Sequence, residues 1–363
     1  MRKLRWQQVM VMGIVSFALS SAQNVNSASL TPELQKIVEG AKKEGQLRLV
    51  WGGGSLGGTA GVEMFEAAMN RMFGTKIDIK YSPGPSMPSM GSQIAAEYAA
   101  GQSSVTDVYI AAASYAAPLV QRQIFHTVNW PQLLPGRITD EMTEGNNSAL
   151  RILSGLPGVP YNTRRVPKSG MPDTMDGFLK PEWKGKIAST PYAAGFDSLA
   201  DKSMWGPEKT IEYVGKLSKQ IAGLIRCNEI ERVASGEFIA LVLDCNGAST
   251  AEAKLKGAPV DLMIPTDAAQ IRYFYLAVPK NAENPNAAKL FTTFVMTKEG
   301  QEIVWKTTHV DLHFFPEART RPTVEQMKQK GVRFFEPTIQ WSLDNPEIDK
   351  LRGKIAKMLR SPK

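Results

Sequence analysis

The 363-residue chain is poor in the side chains on which most hydrolases and metal sites rely: it holds two cysteines and three histidines. No H-E-x-x-H pair occurs, so a zinc-peptidase site lacks its usual frame. His126, in "IFHTV", has nothing beside it that marks it as a base. "HVDLH", His309 to His313, lacks a carboxylate at metal-ligand spacing. Catalysis needs a nucleophile and base within reach of each other, and no such pair can be named. The expectation is a non-enzyme with no catalytic residue, cofactor or metal. A basic block is also missing. Lys and Arg are scattered among acids, as in "KKEGQLR" and "IDKLRGKIAK", which describes a solvated surface and argues against a nucleic-acid partner. Repeats and low-complexity tracts are absent, and beyond the first twenty residues no apolar run approaches membrane-spanning length.

What the chain does have begins at its N-terminus. Arg2, Lys3 and Arg5 precede the apolar run "VMVMGIVSFAL" and the small residues "SSA", the three-part layout of a secretory signal peptide. Residues 1–28 are expected to be removed on export, leaving a soluble monomer in the periplasm; an uncleaved anchor is the alternative. Of the formal charge of +8, three cations lie in that segment, so the mature chain carries about +5 (8 − 3). In an oxidising compartment Cys227 and Cys245 form a disulfide candidate. Each closes an apolar run, "AGLIRC" and "EFIALVLDC", with a helix-length stretch between. This predicts a β-α-β unit that puts both sulfurs at the ends of neighbouring parallel strands.

Hydrophobic periodicity organises the rest. Thr31 and Pro32 open a helix with Leu34, Ile37, Val38 and Ala41 on one face, and Gly45 ends it. "LRLVW", "KIDIKY" and "DVYIAAA" read as strands separated by helices, an open parallel α/β lobe over residues 29–160. A second α/β series covers residues 161–270. "IRYFYLAVP" then returns the chain to the first lobe over residues 271–330, and residues 331–363 form a helical tail packed on the lobes.

"WGGGSLGGTAGVEMF" contains G-x-G-x-x-G at Gly52, Gly54 and Gly57, after a strand and before a helix. The acid a dinucleotide site needs at the end of the second strand is misplaced, since Asp78 lies inside "KIDIKYS". A tight turn capped by Thr59 is one reading of the loop; a helix end offering N–H groups to a ligand is the other. The device recurs in "AAASYAAP", "STPYAAGFDS" and "DCNGASTAEA". Strand-end loops gather ligands in open α/β sheets. The candidate ligand-binding residues are therefore Gly54, Ser55, Thr59, Ser114, Tyr115, Thr190, Tyr192, Asn246 and Ser249, together with Arg226 as a partner for an anion. Asp244 and Asp197 stand as the alternative, receivers for a cation.

"YNTRRVP", "LKPEWKGKIAST", "ERVASGEF", "AKLKGAPVDLMIP" and "YLAVPKNAENPNAAKLFTTFVMTKEGQE", in that order, resemble the solute-binding proteins of bacterial ABC importers, most nearly their ferric-iron-type branch. The resemblance implies a type II periplasmic-binding-protein fold, two lobes each an open, mostly parallel sheet flanked by helices, joined by a two-strand hinge. It also implies a small-molecule ligand closed between the lobes and delivered to an inner-membrane ABC permease. Iron-binding members carry two adjacent tyrosines where this chain has Asp244-Cys245-Asn246-Gly247, so a small anionic solute is expected in place of ferric iron. Ferric iron and a sensor role remain the alternatives. Tyr273 and Tyr275 alternate on one strand face and read as packing.

Overall fold

The structure, a computed structural model, describes residues 30–361; the expected leader lies outside them. Helix α1, Pro32–Glu44, starts where Thr31 Oγ1 accepts the Leu34 amide at 3.2 Å and stops at the left-handed Gly45. Strand β1, Gln46–Gly52, helix α2, Gly58–Phe73, and strand β2, Asp78–Gly84, make a parallel β-α-β unit. Then come α3, Met87–Ala99, β3, Tyr109–Ala112, α4, Ala113–Gln121, and α5, Trp130–Leu133. Strands β4, Thr143–Glu144, and β5, Ala149–Gly155, complete the first pass. One continuous apolar core gathers these elements, with Phe65 edge-on to Phe291 at 5.6 Å and Trp51 beside the same ring at 5.9 Å.

After β5 the chain crosses to a second sheet. Its members are β6, Val159–Asn162, β7, Ile187–Ser189, β8, Gly223–Leu224, β9, Ala240–Leu241, and β10, Val260–Met263, in the order β10-β6-β9-β7-β8. Helices α6, Phe196–Leu199, α7, Gly206–Ser218, α8, Glu231–Ala234, and α9, Ala248–Leu255, lie between these strands. A separate core holds this unit together around Phe178, Trp183, Phe196 and Tyr213. The chain then crosses back as β11, Arg272–Ala277, which inserts antiparallel between β3 and β5. The first lobe thus holds two sheets, the parallel pair β1-β2 and the order β3-β11-β5-β4, antiparallel throughout, whereas the second lobe's sheet sets the parallel pairs β7-β8 and β7-β9 beside the antiparallel pairs β6-β9 and β10-β6.

Helices α10, Pro285–Val295, α11, Lys298–Thr308, and α12, Arg321–Gln329, follow the return strand. The tail ends in α13, Ile339–Asp344, and α14, Ile348–Arg360. It makes a third connection between the lobes: α13 packs on α4, whereas α14 packs on α6 and α7 and buries Ile355 and Leu359 in the second core.

The disulfide joins Cys227 and Cys245 with Cα atoms 5.9 Å apart. The strands that carry the sulfurs are not neighbours, however. Both β8 and β9 pair with β7, one on each side, and α8 is a single turn. The bond forms because both chains overrun their short strands and meet beyond the end of β7. It closes a loop of 18 residues in sequence separation. Replacing both cysteines by serine is expected to cost about 3 kcal/mol through the freed loop. Urea unfolding of the mature variant against the wild type checks this, and thiol labelling of the non-reduced wild type should find neither sulfur.

Candidate functional site

The glycine-rich loop folds for reasons internal to the first lobe. Gly57, at φ 84, occupies the position before α2, so Thr59 lies inside the first turn and does not cap it. A Cβ at Gly61 would sit 1.9 Å from the Leu56 carbonyl oxygen, and one at Gly57 2.7 Å from Thr307 of α11. Glycine is needed at Gly57 and Gly61 for close packing of loop on helix, whereas a Cβ at Gly54 would meet nothing and one at Gly52 only ordinary contacts. Gly54 and Thr59 are exposed and Ser55 is half-buried. The hydrogen bonds of the loop stay within the lobe, from the Gly57 amide to Gly54 O (3.3 Å) and from the Tyr81 hydroxyl to Gly52 O (3.5 Å). Gly53 to Gly57 also spell G-x-S-x-G, the letters of an esterase elbow. The left-handed residue is Leu56 and not Ser55, and none of the three histidines lies in this loop, so a serine nucleophile has no base beside it in the chain.

The second-lobe candidates are drawn into the support of the disulfide. Thr190 is buried, and its hydroxyl donates to Tyr192 O at 2.6 Å. The Tyr192 hydroxyl accepts the Cys227 amide at 2.9 Å and lies 3.8 Å from Cys245 Sγ. Asn246 Oδ1 accepts the Ala248 amide (3.1 Å), while its carbonyl accepts the Leu156 amide from the first crossing (2.9 Å). A Cβ on Gly155 would come within 2.5 Å of Asn246 Cβ, so the crossing and this loop touch. Ser249 is half-buried in the first turn of α9. Arg226 is exposed; its amide is held by Glu229 Oε2 at 2.6 Å, and among the described residues its guanidinium enters no ion pair.

Asp244 serves the fold in a way that a receiver for a cation would not. Its carboxylate is buried and accepts the Gly158 amide at 2.9 Å and the Gly247 amide at 2.8 Å. Burial pushes its pKa up to about 7 despite those amides. Tyr273 and Tyr275 are likewise committed to packing. The Tyr273 hydroxyl donates to Glu336 Oε2 (2.8 Å), Tyr275 donates to Glu144, and Arg151 lies 4.1 Å above the Tyr273 ring. Burial raises both phenols far from ionisation, which sets them against a phenolate role. Trp51 is a core residue whose Nε1 donates to Val108 O at 2.7 Å. Among the described residues no three of His, Cys, Asp and Glu converge as a metal-binding group.

Ser114 leads to the arrangement that sequence reasoning missed. It stands in the first turn of α4, at the end of β3, and lines a small cavity of 20 Å³ where the two lobes and the tail meet. Asp197, Arg272, Tyr273, Trp341 and Arg352 also line it. A wider recess of 230 Å³ adjoins, sharing Ser114, Trp341 and Arg352. Asp197 is buried at the start of α6, and Arg352 reaches it from α14, with Nε and a terminal nitrogen both 2.8 Å from Oδ2. Burial raises the Asp197 pKa, but Arg272 and Arg352 outweigh it and hold the carboxyl below its ordinary value. Arg272, half-exposed at the first position of β11, makes no ion pair among the described residues. Tyr115 lies within electrostatic reach of Arg352. A concavity of 810 Å³ between α2 and α11, around Met64, Arg71 and Phe315, is on the first lobe alone, away from the junction. A signal for Arg352 does exist in the sequence: it shares a helix face with Ile348, Ile355 and Leu359, and a cation on an apolar stripe calls for a buried partner.

Comparison with known proteins places this geometry. Residues 61–330 match the bacterial extracellular solute-binding proteins. The chain belongs to that family. Its members are solute carriers of the periplasm and not enzymes. An uncharacterized protein of Haemophilus influenzae is 26% identical over 162 residues, 43% of this chain and 47% of that relative's length. The substrate-binding protein of an Agrobacterium tumefaciens ABC transporter superposes with a TM-score of 0.69 at 19% identity, covering 86% of this chain and 94% of the other. The periplasmic binding protein AfuA of Actinobacillus pleuropneumoniae, solved with fructose-6-phosphate, gives a TM-score of 0.57 at 21% identity over 74% and 84% of the two chains. At such identities the likeness shows the bilobed fold, and the cargo must be argued from the residues.

A pH dependence follows from Asp244. Its folded pKa exceeds the unfolded value, so its contribution is full below about pH 4 and is lost as pH rises through about 7. Asp244→Asn keeps an acceptor for Gly158, loses one for Gly247, and does not titrate. Its deficit in melting temperature relative to wild type is expected to narrow from about pH 5 to about pH 8. A deficit constant across that range would mean the carboxyl does not titrate there.

Proposed function

We propose that this protein is the periplasmic solute-binding component of an ABC importer, taking a small organic anion at the lobe junction and handing it to an inner-membrane permease. The observation that carries the ligand class is Arg272. Arg272 lines the junction cavity beside Arg352, no carboxylate is bonded to its guanidinium among the described residues, and a planar cation of this kind suits a carboxylate, phosphonate or phosphate. The fructose-6-phosphate held by AfuA is an organic anion and agrees with this reading. Ferric iron fits less well. At the positions of the tyrosine pair this chain has Asp244, engaged by two backbone amides, and Cys245, engaged in the disulfide.

Thermal-shift screening of the mature protein against carboxylates, phosphonates, sugar phosphates, polyamines and ferric citrate tests the reading, since a ligand of the native state raises the melting temperature. Stabilisation by an organic anion is expected, and Arg272→Met should weaken its binding by about tenfold or more. Small-angle scattering should show a smaller radius at saturation as the lobes close. Stabilisation by ferric iron alone would overturn the proposal.

A further inference from the structure

The tail belongs to both lobes, and the division falls inside it. Phe335 lies along the return crossing, its amide donating to Ala269 O (2.9 Å) and its carbonyl accepting the Ile271 amide (2.9 Å). Helix α13 then goes with the first lobe. Ile339 is buried in the first core, Leu343 packs against it, and the Ile339 amide donates to Glu144 Oε2 at 2.6 Å. Helix α14 goes with the second lobe, through Ile355, Leu359 and the Asp197–Arg352 pair. The Trp341 side chain crosses that division. From α13 its Nε1 donates to Asp201 Oδ2 at 2.7 Å, and among the described residues this is the one hydrogen bond that α13 makes to the second lobe. Each partner is held by its own side. The Trp341 amide donates to Thr338 Oγ1 at 3.0 Å, and its ring stands edge-on to Phe335 at 5.3 Å. Asp201 lies in the turn between α6 and α7, where Oδ1 accepts the Ser203 amide (2.7 Å) and hydroxyl (2.6 Å), and Leu199 and Trp205 tie that turn to the second core.

The chain crossings bend by small changes of backbone angle, but a hydrogen bond weakens steeply once it is stretched or tilted. Neither Trp341 nor Asp201 can follow the other when one lobe turns, so the bond between them breaks. The indole has room to leave, because it borders the 230 Å³ recess between α4 and α14. We propose that Trp341 and Asp201 form a latch between the lobes: their bond holds the arrangement described above, and a turn of one lobe on the other has to release it. The latch rests on the two-lobed fold and not on the ligand class proposed for the junction.

Spin labels on introduced cysteines test the latch with no ligand added. Gln35, exposed on α1, and Lys219, exposed at the end of α7, report on one lobe each, and the native cysteines are spent in the disulfide. Pulsed electron resonance on the mature protein carrying Gln35→Cys and Lys219→Cys gives the distribution of distances between the lobes. Trp341→Phe keeps a ring beside Phe335 and loses the donor. It is expected to raise the ratio of displaced to original distances about tenfold, in keeping with a hydrogen bond to a carboxylate. Asp201→Ala removes the acceptor instead and should give a similar rise, and the double variant no more than either single one. Trp305→Phe, whose indole faces His309 and Arg319 within the first lobe, should leave the distribution as in the wild type. Should Trp341→Phe fail to fold, Asp201→Ala decides alone, since the Ser203 contacts it gives up lie in an exposed turn. An unchanged distribution in the folded variants, or rises that multiply in the double variant, would overturn the latch and leave the solute-binding reading standing.

Discussion

A carboxylate taken out of water must be answered by charge or by N–H groups, and the junction between the lobes is organised around two of them. Asp244 is answered by backbone alone. By accepting the Gly158 and Gly247 amides it fastens the chain's first crossing to the loop after β9. Asp197 is answered by charge, and its partner comes from the last helix of the chain. The two acids therefore respond to burial in opposite directions, one raised toward neutrality and one held ionised. Only the second keeps a full negative charge at the cavity that Arg272 lines.

The tail is what brings that charge pair to the junction. At its first end Glu144, a single carboxylate, accepts from Arg151, from the Tyr275 hydroxyl and from the Ile339 amide, so β4, β5, β11 and α13 share one acceptor. The Tyr273 hydroxyl adds Glu336 to the same anchorage. At its other end α14 is fixed to the second lobe by Ile355 and Leu359. Trp341 Nε1 spans the gap, donating to Asp201 Oδ2 at 2.7 Å. A relative motion of the lobes has to be absorbed between these anchors, in the short stretch Asn345-Pro346-Glu347, or has to break the Trp341 contact. Closure and the state of the tail are mechanically linked.

Much of this was legible in the chain. Local rules placed the helices, because Thr31, Gly45 and Gly74 each do one job that depends on near neighbours only. The alternation of apolar strands and amphipathic helices announced two α/β units. Strand order was not legible. The apolar runs ending in Cys227 and Cys245 look like neighbours, yet β7 comes from an earlier stretch and lies between them. Periodicity carries no information about which strand a third one displaces. Residue type at strand ends points to loop candidates, yet Thr190 and Asn246 are tied within their own loops and Tyr192 to the disulfide's Cys227. Arg272 and Arg352 escaped because nothing local distinguishes an arginine that lines a junction from one that faces solvent. Only the helical spacing of Arg352 against its apolar neighbours hinted at burial.

The departure at residues 244–247 bears on how one fold serves different cargo. Two tyrosines there would supply hard oxygen donors. Here the same loop is locked three ways: Asp244 by two amides, Cys245 by the disulfide, and Asn246 by its turn and by the Leu156 amide of the crossing. Tyr192 leans its hydroxyl on the same disulfide. A face stiffened in this way offers few free donors or acceptors, so discrimination would fall to groups left with spare capacity. Arg272, with no bonded carboxylate among the described residues, is the group the proposed reading turns to, and it lines one cavity with Asp197 of the other lobe. On the proposed reading, specificity built on Arg272 would depend on the lobes being together, so that recognition and closure would be the same event.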